Sequence, residues 1–165
     1  MTITISTAEC FTHGMVAREI HAYSQGYLGE FGPKYLQNIQ KDVLLLCGMF
    51  IPTLTALTSI LKVEPPKPQE LIRGIKVYDE LTDQKVAYLM ARAVKDLTGA
   101  QVGIGTTAGI GRGAIVILSD EIMLKATSDV YADLRFPDSD LLLERQRSGV
   151  QKTLSLLVEL LEVSL

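Results

Sequence analysis

The sequence predicts an α/β fold in which helices cover a layered sheet, and three observations carry that reading. Residues 2–7 (TITIST) alternate β-branched and polar side chains, the period-2 pattern of a strand. Val86, Leu89, Met90, Ala93, Val94 and Leu97 fall on one face of a helix. Strand-like and helix-like segments then take turns along the chain, which is the pattern of α/β layers whose ligands lie beyond the carboxyl ends of strands.

The first strand is expected to end at Ala8. Met15, Val16, Ile20 and Tyr23 follow at helical spacing, so residues 9–13 form a strand-to-helix turn that holds Cys10. Residues 24–35 (SQGYLGEFGPKY) carry three Gly and one Pro, an ordered loop. Residues 42–51 are a continuous apolar run, expected as a strand covered on both faces with Cys47 in the core. Pro52 opens a short helix in its first turn. The Pro-dense 63–70 stretch is a stiff surface loop, too short to divide domains.

Residues 72–80 read as a strand. Thr82 or Asp83 caps the next helix and Gly99 stops it. Residues 100–120 read as a strand, a glycine-rich turn and a second strand, with a third over 122–129. A last helix spans about 138–163, with Val150, Leu154, Leu157, Val158 and Leu161 on one side and Gly149 placed to bend or divide it. Its stripe, with residues 141–143, covers the sheet or a second subunit.

At 165 residues the chain is long enough to bury a core as one domain, 1–165. A net charge of −3 argues against a nucleic-acid binder that works through bulk charge. No apolar run approaches the ~20 residues of a membrane span and no basic leader precedes residue 6, so the expected location is the cytoplasm, away from membranes. Cys10 and Cys47 lack metal-ligand spacing, and a reducing cytosol disfavours their pairing.

Cys10 carries the first candidate chemistry. A thiol attacks as the thiolate, and unpaired N–H groups at a helix start favour an anion. His13 can approach the sulfur from the first helical turn and take its proton or pair with it. Glu9 opposes ionisation unless it points elsewhere. The alternative is a buried, inert Cys10 with His13 satisfied by backbone groups.

The second candidate is GIGTTAGIGRG (103–113). Gly105, Gly109 and Gly111 let backbone N–H groups approach a phosphate or carboxylate, Thr106 and Thr107 add hydroxyls, and Arg112 adds a guanidinium. The stretch lacks a dinucleotide fingerprint and a P-loop ending. Tight turning and close backbone packing would explain the same glycines. In TSDVYADLR (127–135), Asp129 and Asp133 can accept from a base edge or hold a ribose, with Ser128 beside them; solvated loop acids are the plainer reading.

Taken together, TAECFTHG (7–14), REIHAYSQGYLGEFGPKY (18–35), GMFIPTL (48–54), LKVEPP (61–66), GIGTTAGIGRG and TSDVYADLR resemble the UPF0254 family of methanogenic archaea, also called HcgF. That family serves the biosynthesis of the iron-guanylylpyridinol cofactor of Fe-hydrogenase. A more distant similarity is to the CinA C-terminal nicotinamide-nucleotide amidases. Their A-E-S-C-T-G-G turn places a nucleophilic Ser where Cys10 stands, and their second turn matches Thr107 to Gly111. Glu9, Thr12 and Gly14 agree with that turn; Cys10 for Ser and His13 for Gly do not.

The resemblance implies a CinA-like three-layer sandwich with a mixed, mostly parallel sheet. It implies that Cys10 takes the carboxyl group of guanylylpyridinol as a thioester, after adenylylation by a partner enzyme, with no metal and no added cofactor. On the turn geometry, Thr12 and turn N–H groups place the acyl oxygen, His13 acts as base, and Glu9 and the 105–113 loop contact the ligand, with the loop holding the GMP phosphate. A homodimer is expected because closed two-fold dimers are the commonest oligomers. The alternatives are an amidase acting on a nucleotide and a non-catalytic nucleotide-binding protein.

Overall fold

The computed structural model describes residues 1–164. In chain order the elements are β1 (Ile3–Glu9), α1 (Met15–Ser24), α2 (Gly32–Tyr35), β2 (Val43–Phe50), α3 (Leu54–Ser59), β3 (Glu70–Ile72), β4 (Ile75–Val77), α4 (Glu80–Thr98), β5 (Val102–Thr107), β6 (Ile110–Gly111), β7 (Ala114–Leu118), β8 (Met123–Ala126), β9 (Ala132–Asp133) and α5 (Ser139–Ser164). Five strands form the central sheet in the order β2-β1-β5-β7-β8. It is parallel from β2 through β1 to β5 and antiparallel from β5 through β7 to β8. No helix among the described residues is long and apolar enough to cross a membrane.

Strand alternation divides the core between the two faces. Ile5, Ile104, Ile115 and Ile117 pack under α1 and α5, against Val16, Ile20, Val150 and Leu154. On the other face Ala8 packs with Val86, Met90 and Val94, and Val116 with Ala87 and Ala91, all under α4. The result is the expected three layers. Gly103 and Gly105 belong to this second interface: a Cβ on Gly105 would run into the Ala87 carbonyl oxygen and come 2.7 Å from the Ala91 nitrogen. The bare β5 surface therefore sets how closely α4 approaches the sheet.

Two buried carboxylates hold the loops at the carboxyl ends of β1 and β5. Glu9, the last residue of β1, accepts from the N–H groups of Val16 (3.0 Å) and Ala17 (2.9 Å) and from the hydroxyls of Thr7 (3.0 Å) and Thr12 (2.6 Å). Asp83, in the first turn of α4, accepts from the Gly109 N–H at 2.9 Å and lies 3.5 Å from the Thr107 hydroxyl. Burial pushes its carboxyl up to about 7, against the Gly109 hydrogen bond and the nearby Lys76 and Arg145.

Several boundaries differ from the sequence reading. β1 runs one residue past Ala8. β2 is an edge strand, not one covered on both faces: Leu44, Leu46 and Phe50 are exposed and Cys47 is only half-buried. An unbroken apolar run does not reveal how many faces are covered. The 72–80 segment is a hairpin partner followed by a cap, with β3 and β4 joined through Arg73 (φ 51°) and Gly74 (φ 84°). Asp79, not Thr82 or Asp83, caps α4 by accepting from the Thr82 N–H, whereas Gly99 (φ 70°) ends it as expected. Leu97 is exposed. Thr53 caps α3, so Pro52 lies before the helix.

α5 continues through Gly149 without division, and its stripe covers this chain's own sheet. Gly149 is small because the Phe11 ring lies against it: a Cβ there would come 2.6 Å from Phe11 Cζ. The 24–35 loop is ordered by the buried Glu19 carboxylate, which accepts the N–H groups of Glu30, Phe31 and Gly32.

Gly105→Ala should lower stability by about 3 kcal/mol in urea unfolding, because the new methyl meets helix backbone that cannot turn away; a loss under ~0.5 kcal/mol would mean that α4 is free to shift. In the folded protein Asp83 keeps its proton from its ordinary 3.8 up to about 7. Its contribution to stability is therefore present at low pH and declines as pH rises across that window. Asp83→Asn should flatten this decline, measured as unfolding free energy at pH about 5 and about 8; an unchanged slope in the variant would refute it.

Candidate functional site

Glu9 pairs with Thr106 across β1 and β5, so the turn after β1 and the bend after β5 leave the sheet side by side. The Cys10 N–H donates to the Thr106 carbonyl at 2.9 Å and lies 3.3 Å from its hydroxyl oxygen. His13 N–H then closes on the Cys10 carbonyl (3.1 Å) and Met15 N–H on the Thr12 carbonyl (2.9 Å). His13 (φ 54°) and Gly14 (φ 77°) both take the left-handed conformation that this double turn needs. For His13 that conformation costs energy, an unusual burden for a non-glycine residue.

Cys10 is 5% exposed and lies on the wall of a cavity of about 370 Å³. Phe11, Phe50, Pro52, Ile75 and Leu142 make the cavity largely apolar; His13, Arg145 and Gln146 supply its other polar groups. Cys10 is thus not exposed at a helix tip: it belongs to the buried cluster of Ala8, Ile51, Leu57 and Tyr78 and borders the cavity. His13 stacks at 4.9 Å from the Phe50 ring, and burial holds its imidazole below the usual range, hence neutral near pH 7.

The setting expected to activate Cys10 is different in the fold. The N–H groups at the start of α1 are taken by Glu9 through Val16 and Ala17. The helix start therefore serves a carboxylate, not the sulfur. Burial raises the Glu9 pKa, opposed by Thr12, Ala17, Val16 and Thr7. With no exposed surface and four donors around it, Glu9 is enclosed and has no free oxygen for a ligand. Thr12 is enclosed as well: its hydroxyl donates to Glu9 and meets the Thr106 hydroxyl at 2.8 Å. The side chain proposed to place an acyl oxygen is committed to the wall beneath the cysteine.

Among the described residues, the N–H groups of Phe11 and Thr12 have no hydrogen-bond partner. They are the free backbone donors next to the sulfur.

The glycine-rich bend is anchored from below. Gly109 N–H is held by Asp83, Ile110 N–H by the Tyr78 carbonyl, and Arg112 N–H by Glu80. Gly109 packs against Tyr78 backbone, and Gly111 (φ 117°) turns over the Glu80 side chain. Three of the bend's N–H groups thus face protein acceptors, two of them acids, in place of a phosphate. Thr107 faces Asp83 and Arg112 is exposed; of the bend, Ala108 lines the Cys10 cavity. Ser128 is buried and donates to the Arg112 carbonyl at 2.6 Å, a strut of the bend. Asp129 lies elsewhere, 3.2 Å from Lys152, and Asp133 pairs with Arg135 at 2.8 Å.

Arg145 is the site residue the sequence reading missed. It is 2% exposed, and its Nη1 donates to the carbonyls of Gly109 (3.1 Å), Gly111 (2.9 Å) and Ala132 (2.9 Å). Burial lowers its pKa, offset by the charges of Asp83, Cys10 and Asp133. One signal was present: Arg145, Gly149, Thr153 and Leu157 recur every four residues, which puts a cation in line with the buried stripe of α5. Among the described residues, no group of three or more His, Cys, Asp or Glu side chains could hold a metal ion.

Comparison with known proteins places this geometry. A UPF0254 protein of Methanothermobacter thermautotrophicus is 54% identical over 160 residues, 97% of this chain and 99% of that protein. UPF0254 proteins of Methanopyrus kandleri and Methanocaldococcus jannaschii are 49% and 38% identical, covering 92% and 97% of this chain and 84% and 97% of theirs. In fold, the chain is similar to a competence or damage-inducible protein of Enterobacter asburiae (TM-score 0.61, 15% identity, 96% of this chain and 87% of that one). It is also similar to a competence/damage inducible protein of Agrobacterium tumefaciens (TM-score 0.60, 18% identity, 96% and 85%). The CinA-like architecture expected from the sequence is therefore the observed one. The model of the family described as FeGP cofactor biosynthesis protein HcgF matches residues 2–161, and the chain belongs to that family.

Proposed function

We propose that this protein forms a thioester between Cys10 and the carboxyl carbon of guanylylpyridinol, delivered as an acyl adenylate by the adenylylating enzyme of the same pathway. The observation that carries the reading is the thiol on the wall of an apolar cavity at the carboxyl ends of β1 and β5, in a chain of the HcgF family. A cavity of about 370 Å³ is at the small end of ligand sites. It suits the substituted pyridinol ring, with the nucleotide directed out of the mouth beside exposed Phe50 and Leu143.

In the transfer, sulfur bonds to the acyl carbon and the bond from that carbon to the phosphate oxygen breaks. The electron pair leaves on AMP, and the thiol proton passes to the neutral imidazole of His13. The partnerless N–H group of Phe11, a residue of the cavity wall, meets the acyl oxygen as it gains charge. Glu9, Thr12 and Thr106 hold the turn that carries this donor. The bend, anchored on Asp83 and Glu80, frames the cavity. No metal ion takes part in this step.

Incubation with the acyl adenylate of the pyridinol should add the mass of the acyl group to the chain. The adduct should be released by hydroxylamine and absent from Cys10→Ala. Release of AMP and free acid by unmodified protein would overturn the thioester reading and favour a hydrolase.

A further inference from the structure

Two buried cations lie near the bend, and one of them, Arg145, lines the cavity. Arg145 enters from α5 and Lys76 from β4, both almost wholly buried, and the Lys76 ammonium has no hydrogen-bond partner. Facing them, Asp83 is the carboxylate supplied by α4. Asp133, from β9, is paired with Arg135. On the cysteine turn itself, Glu9 is enclosed by its four donors and His13 is neutral. Asp83 lies near both cations, and Asp133 offsets Arg145 as well. A buried cation whose donors are not all used can seat an anion supplied from outside.

Arg145 is the cation that reaches that outside. Its Nη1 is fixed by three carbonyls, while its Nε and Nη2 carry no hydrogen bond, and the side chain lines the cavity that Cys10 lines. A guanidinium pinned at one nitrogen is pre-oriented, with its remaining donors free for a carboxylate or phosphate oxygen.

We propose that Arg145 is the anion-recognition group of the Cys10 cavity: it draws negatively charged electrophiles to the sulfur and pairs with the phosphate that departs during acyl transfer. The preferred donors are acyl phosphates, including adenylates, over neutral esters or thioesters of the same acid. This refines the acyl-transfer reading, but its core, a cation beside Cys10, stands without it. The same guanidinium ties Gly109, Gly111 and Ala132 together, so it positions the bend as well as the ligand.

Alkylation of Cys10 tests the idea without the natural substrate, in a Cys47→Ser background. The ratio of the iodoacetate rate to the iodoacetamide rate is compared with that of glutathione, because only the first reagent carries a negative charge. The native protein should favour iodoacetate on the order of tenfold over the glutathione ratio, with the preference falling at high salt. Arg145→Gln should return the ratio to that of glutathione, and Arg145→Lys should keep a part of the preference. A folded Arg145→Gln with the native ratio would overturn the proposal. So would a native ratio no greater than that of glutathione, which decides the matter even if the Gln variant fails to fold. Failure of thioester formation with this preference intact would overturn the acyl-transfer reading alone.

Discussion

Glu9 is the carboxylate on which this architecture turns. It ends the first strand, is fully buried, and accepts four hydrogen bonds: two from the start of α1 and two from threonines on either side of Cys10. A carboxyl group so deeply buried is tolerated only because each oxygen is hydrogen-bonded; removing one donor leaves a buried polar group without compensation. The strand, the cysteine turn and the helix are consequently one mechanical unit. That arrangement also explains why the sulfur does not use the helix dipole. The favourable end of α1 serves the carboxylate, and the electrostatic support of the site comes from α5, nearly the whole chain away.

The glycine-rich bend follows the same logic with opposite effect. Gly103 and Gly105 lie flat against α4, and Gly109 fits against the backbone of Tyr78. Asp83 and Glu80, both from the first turn of α4, hold the bend from beneath. Such a bend is rigid and is ringed by acids on its inner side, so it forms a wall of the cavity. Arg145 grips its carbonyls from the outer side, which makes a helix far in sequence the clamp on a turn that precedes it.

These features fit the needs of a family that serves FeGP cofactor biosynthesis. Cys10 is nearly buried, and Phe11, Phe50 and Leu142 give the cavity beside it a largely apolar wall. The likeness to CinA-like folds concerns architecture. His13 stands in the left-handed conformation that favours glycine, which places an imidazole in the cavity at the cost of backbone strain.

By itself the sequence determined the alternation of the main strands and helices, the turn holding Cys10, the Gly99 stop and the family, because these depend on local periodicity, on backbone freedom or on long shared strings. It also marked the 103–113 glycines as special without revealing that Gly103 and Gly105 serve close contact with α4 and Gly109 contact with the Tyr78 backbone. Tertiary structure alone decided the rest. The edge position and partial exposure of β2, the enclosure of Glu9 and Thr12, and the separation of Asp129 from the cavity all arise from contacts between distant segments. Arg145 is the clearest case: its role is set by the carbonyls it meets across the fold, and one-dimensional spacing records which helix face a residue occupies but not what stands opposite.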